Sequence, residues 1–69
     1  MPLSMARPGE ANWIKRIGGR DQTRRFLEKL GFVNGTSVIV VSENDGNIIV
    51  NVKDSRVAIG RELANKIIV

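Results

Sequence analysis

Apolar positions along this chain change their spacing from one segment to the next, and the spacing predicts the elements. From Asp21 to Leu30 the residues Thr23, Phe26, Leu27 and Leu30 recur at helical intervals while the opposite face is charged. A helix is expected there, with Asp21 as its N-cap. Gly31 stands where a helix stop demands a left-handed backbone, and Phe32 after it can fold back onto Leu27 in a Schellman arrangement. Phe26 and Phe32 are therefore read as core and capping residues.

Beyond the helix the period shortens to two. Asn34-Gly35 marks a turn, Thr36 to Ser42 reads as a strand, and Glu43-Asn44-Asp45-Gly46 marks a second turn. Asn47 to Lys53 then alternates, with Ile48, Val50 and Val52 on one side. A hairpin pairing Asn47 with either Ser42 or Asn44 puts Ile39 and Val41 on the same, core-facing side. Toward the N-terminus a strand is expected over about Ala11 to Ile17. Ile14 and Ile17 lie three apart there, which breaks the alternation and predicts a bulge near Lys15-Arg16. Arg56 to Ile59 reads as a short strand, Gly60 to Asn65 as a helical turn, and Ile67 to Val69 as a closing strand too apolar to be left in water. The sum is a single domain over residues 1–69, mainly β with one inserted α-helix. It reads as a small SH3-like β-barrel of about five strands, closed so as to remove its sheet edges.

Composition narrows the chemistry. A chain of 69 residues has room for one small core, and it contains no cysteine and no histidine. Disulfide staples, zinc fingers, iron–sulfur ligation, thiol nucleophiles and imidazole bases are thereby excluded. Ser4, Ser37, Ser42 and Ser55 have no histidine to activate them, and Glu43 and Asp45 sit in a turn where both stay solvated. No P-loop string occurs. Gly18-Gly19 ahead of the helix is read as a sharp turn, in preference to an anion cradle backed by Arg20, Arg24 and Arg25. Asp45, Asp54, Glu43 and Glu62 lack the spacing of a calcium loop. No catalytic residue, cofactor site or metal ligand is expected. No apolar run is long enough to span a bilayer and no secretory h-region is present, so a cytoplasmic protein without membrane insertion is expected.

Charge changes the picture more than its size suggests. The net +4 lies wholly in residues 1–25, where six cations face two carboxylates, while residues 26–69 balance. Lys15, Arg16, Arg20, Arg24 and Arg25 form a basic cluster of the kind that docks something acidic. The bland alternative is a solvated helix face with i,i+4 pairs Asp21–Arg25 and Arg24–Glu28. Trp13 is either partly buried or an exposed interface anchor. The candidate partner-binding set is Trp13, Arg16, Arg20, Arg24 and Arg25. A nucleic-acid-binding barrel using the basic N-terminal third is the alternative, but no stacking platform is visible for it.

With the elements placed, the chain resembles the ferrous iron transport protein A family, FeoA, over nearly its whole length. Leu3 and Gly9 are similar to the family's opening, and Ile14, Ile17 and Gly19 to its I-x-x-I-x-G segment. Leu27, Leu30, Gly31 and Phe32 match L-x-x-L-G-[LF]; Gly35, Val38 and Val40 match G-x-x-V-x-V; Ile59, Ala64, Ile67 and Val69 resemble the closing segment. Asn34 departs from the family's proline before that glycine and still suits a turn. The resemblance implies a non-enzymatic, cytosolic accessory of bacterial ferrous iron uptake, acting with the cytoplasmic part of the membrane transporter FeoB. It transfers no active site, and it leaves weak self-association open. A protein partner accounts for the localised charge better than nucleic acid does.

Overall fold

The computed structural model describes all 69 residues. The strands are β1 (Ala11–Trp13), β2 (Arg16–Ile17), β3 (Ser37–Asn44), β4 (Asn47–Val52), β5 (Ser55–Gly60) and β6 (Ile67–Ile68). The helix α1 (Asp21–Leu30) lies between β2 and β3, and a single helical turn, α2 (Arg61–Ala64), lies between β5 and β6. The architecture is mainly β with one true helix, as the periodicity implies. Six strands replace about five because the N-terminal strand is split.

The split has a hydrogen-bonding cause. The Ile14 amide donates to the Thr36 carbonyl at 3.0 Å, and the next amide, Lys15, donates to Ile68 at 2.7 Å. Consecutive residues are therefore bound to different partners, and a strand bulge becomes a crossing between two sheets. One sheet has the order β1-β3-β4-β5; the other is the antiparallel ribbon β2-β6, joined by a bridge from Pro2 to Ile68. The C-terminal strand is thus paired, as its apolarity demands. The expected loss of all sheet edges does not follow, because no ladder joins β5 to the ribbon.

Helix α1 stops as its sequence dictates. Gly31 has φ +109°, the Gly31 amide donates to the Glu28 carbonyl, and the Phe32 amide donates to Leu27, each at 3.0 Å. This is a Schellman stop, and the Leu27 and Phe32 side chains it juxtaposes are both fully buried. The start differs from expectation. Arg20 occupies the N-cap and makes no side-chain cap, while Asp21 is the first helical residue. There its carboxylate favours the positive end of the helix dipole instead of capping an amide. Phe26 also departs from its core reading: it lies at the edge of the apolar stripe and is half exposed.

The β3-β4 hairpin shows a second departure. Asp45 and Gly46 both have positive φ, so a two-residue turn closes Asn44 against Asn47. That register alone would direct Ile39 and Val41 inward. A bulge between Val40 and Ser42 takes up one residue, however, and Val38 pairs with Val52 and Val40 with Val50. Val38 and Val40 therefore join Ile48, Val50 and Val52 in the core, and Ile39 and Val41 are only half-buried. A one-residue slip reverses the face of every side chain beyond it.

The core forms one cluster in which Leu3, Leu27, Phe32, Ile48 and Ile67 are fully buried, and no buried polar side chain interrupts it. Each such side chain contributes about 1.5–3 kcal/mol of transfer free energy. The residues come from the N-terminal turn Leu3–Met5, α1, the sheet and β6, so the core exists only when all of them meet.

Candidate functional site

The basic cluster is built at the junction of β2 and α1. A shallow groove of about 480 Å³ opens there, lined by Arg16 and Ile17 of β2, Arg24 and Glu28 of α1, and Phe32, Val33 and Asn34 after the helix. Arg24 and Glu28 share a helix flank because they are four residues apart. Arg16 reaches the same groove because its neighbour Ile17 pairs with Ile67 and turns half inward. The groove's lining is mainly polar, with two guanidinium groups, one carboxylate and the Asn34 amide beside the half-buried Ile17 and Val33 and the fully buried Phe32.

Of the five candidate residues, Arg16 and Arg24 share this groove. Arg20 stands at the helix N-cap, where its carbonyl accepts the Arg24 amide at 3.0 Å. Arg25 is exposed on α1 and Trp13 on β1, and neither lines the groove. Trp13 is 60% exposed and lies opposite Ser37 on the outer face of the four-stranded sheet. It is therefore a separate exposed aromatic and takes no part in the core.

The ion pairs differ from the i,i+4 expectation. Asp21 pairs with Arg24, three residues on, and not with Arg25. Arg24 is held by Asp21 and makes no ion pair with Glu28, although both line the groove. Glu43, expected to stay solvated in a turn, lies in β3 and pairs with Arg61 at the start of α2. Both pairs are exposed and each is worth at most ~1 kcal/mol. Arg16, Arg20 and Arg25 remain without carboxylate partners.

The two glycines before α1 serve the turn. The Gly18 amide donates to the Lys66 carbonyl at 2.7 Å, which removes it from any anion cradle. A Cβ added at Gly19 would stand 2.9 Å from the Lys66 side chain, so the Lys66 stem lies across this glycine. Lys66 thus brings another cation to the β2–α1 junction. No charge count along the chain could find it, because it arrives through the β2-β6 pairing from near the C-terminus. No group of three or more aspartate or glutamate side chains comes together in the fold.

These features can be set against known proteins. The FeoA domain profile matches residues 1–69, the whole chain. The chain belongs to the FeoA family. A Methanocaldococcus jannaschii protein, named as a candidate Fe(2+) transport protein A, is 35% identical over 68 residues, covering 99% of this chain and 83% of that one. The crystal structure of an iron uptake regulatory protein, also FeoA, has a TM-score of 0.89 at 31% identity and covers 97% of this chain and 91% of that one. The zinc complex of Stenotrophomonas maltophilia FeoA, described as a procaryotic SH3 domain protein, has a TM-score of 0.86 at 24% identity over 99% of this chain and 87% of that one. That likeness establishes the SH3-like class of the fold, which this chain keeps even though its two sheets are not joined into one ladder.

Proposed function

We propose that this FeoA-family chain is a non-enzymatic accessory of ferrous iron uptake. It would dock on the cytoplasmic part of a FeoB-type transporter through the groove between β2 and α1. The observation that carries the reading is the family match along the entire chain, whose relatives are named for iron(II) transport and iron uptake. The groove supports it, because its two guanidinium groups fit an acidic segment. Arg16 and Arg24 make the contact, Arg20 and Arg25 extend the positive field, and Trp13 offers a second anchor outside the groove.

The test is an NMR titration of the labelled chain with the cognate transporter's cytoplasmic domain. Amides of Arg16, Arg24, Val33 and Asn34 are expected to shift, and binding should weaken as salt rises. Arg24→Glu should weaken binding about tenfold, ~1.4 kcal/mol, while loss of the exposed Asp21 pair lowers stability by about 1 kcal/mol. Absence of any shift at high micromolar concentration defeats the partnership. Intact binding by Arg24→Glu would remove only the groove. A steeply salt-dependent shift with an oligonucleotide, and none with the transporter domain, would move the reading to nucleic acid.

A further inference from the structure

The sheet leaves two edges, and they are not equivalent. The β1 edge is three residues long, is preceded by Pro8, and ends where Ile14 and Lys15 turn to different partners. Short edges of this kind are protected from pairing. β5 is twice as long, Ser55 to Gly60, and pairs with β4 through six consecutive residues without a bulge. It contains no proline and no lysine. Its one charged side chain, Arg56, does not guard the edge, because its Nε donates to the Asn51 side-chain oxygen at 3.1 Å and draws the guanidinium back over β4.

β5 pairs only with β4, and no turn, loop or cap backbone hydrogen bond involves Arg56 or Ala58. The two-residue turn at Lys53-Asp54 makes Val52 and Ser55 a hydrogen-bonded pair, so the backbone groups of Arg56 and Ala58 point away from β4. The Arg56 and Ala58 side chains are exposed, and Val57 and Ile59 face inward. No strand of the chain pairs with this edge.

We propose that β5 pairs antiparallel with β5 of a second copy, giving a weak two-fold dimer with one continuous eight-stranded sheet. A two-fold arrangement matches each free amide of Arg56 and Ala58 with a free carbonyl of the same set. Setting Arg56 against Ala58 of the other copy keeps the two guanidinium groups apart. No residue of β5 lines the basic groove, which is formed by β2, α1 and the segment after the helix, so the pairing uses none of the groove's side chains. Each copy carries +4, so the association opposes net charge and strengthens as salt screens it. Transporter docking through the groove has the opposite salt dependence, and the two readings fail separately.

Sedimentation equilibrium and NMR from 0.05 to ~2 mM test the proposal, with dissociation expected at roughly 0.1–1 mM as suits a small interface. The average mass should climb from 7.6 kDa toward twice that value, with shifts centred on residues 55–60 and tighter association in added salt. Ala58→Pro removes one outward amide and leaves the β4 ladder intact, and it should abolish the dimer while keeping a cooperative thermal transition. Ala58→Lys supplies the same reading if the proline variant does not fold, because it sets a second cation against the two-fold partner. A monomer at ~2 mM, shifts centred on β1 or α1, or undiminished association in Ala58→Lys would each overturn the proposal. So would protection of the Arg56 and Ala58 amides that appears only with a transporter segment.

Discussion

The meander β3-β4-β5 and the clasp formed by β2, β6 and the N-terminal turn are built by different physics. In the meander each strand meets the next through a two-residue turn, so its pairings are local and cost little loop entropy. In the clasp, Arg16 and Ile17 meet Ile68 and Ile67 across some fifty residues of intervening chain, and Pro2 bridges to Ile68. Two ladder pairs hold it, against six in each hairpin of the meander. The lesson is that the groove with its basic rim sits on the less locally determined half. Its shape depends on the apolar residues that bring the chain ends together.

Deleting Ile67 to Val69 is the strongest test of that contrast. Ile67 is fully buried and Val69 nearly so, and their loss removes the β2 pairing as well as two core side chains. The cooperative thermal transition should disappear in calorimetry, since a domain this small has only ~5–15 kcal/mol to lose. A truncated chain that still melts cooperatively would show the meander and α1 to be self-sufficient. Phe32→Ala acts where the halves join, because Phe32 ends the α1 stop and fills the core beside Leu27. Chemical denaturation should show a loss of about 3–5 kcal/mol. Gly46→Ala strikes only the local turn. Gly46 has φ +81° and open space around its Cβ position, so the cost is backbone conformation alone, about 1–2 kcal/mol. A larger loss there than at Phe32 would reverse the ranking of long-range over local support.

The groove and the β5 edge sharpen the same contrast at smaller scale. Charge reversal at Arg24 should weaken partner binding without weakening self-association, and Ala58→Pro should abolish self-association without weakening partner binding. Each site then reports on one half of the molecule.

Much of the fold can be read along the chain, because it depends on neighbours in sequence. The helix over Asp21–Leu30, its stop at Gly31-Phe32, the turn whose Thr36 amide returns to the Val33 carbonyl, and the terminal Ile67-Ile68 strand all follow from short-range pattern. The core face of β3 does not. Alternation and turn register together point to Ile39 and Val41, and the bulge at Val41 exchanges them for Val38 and Val40. Both choices are β-branched and apolar, so local chemistry cannot separate them; packing against β4 and β1 does. Phe26 shows the same limit. Its helical position is legible, but whether a neighbour covers that flank is a tertiary matter, and none covers it fully.

For the candidate site, the sequence by itself determined the inventory: a basic excess in residues 1–25, one tryptophan, and no histidine or cysteine. Tertiary structure decided which of those cations act together. It placed Arg16 beside Arg24 in one groove, left Arg25 and Trp13 outside it, and added Lys66 from the far end of the chain. It also decided that β5 keeps an open edge where pattern alone implied closure. The reason is common to all of these. Residue type and spacing fix what a segment can form, whereas long-range strand pairing, paid in loop entropy and repaid by burial of Ile67 and Leu3, decides what stands next to what.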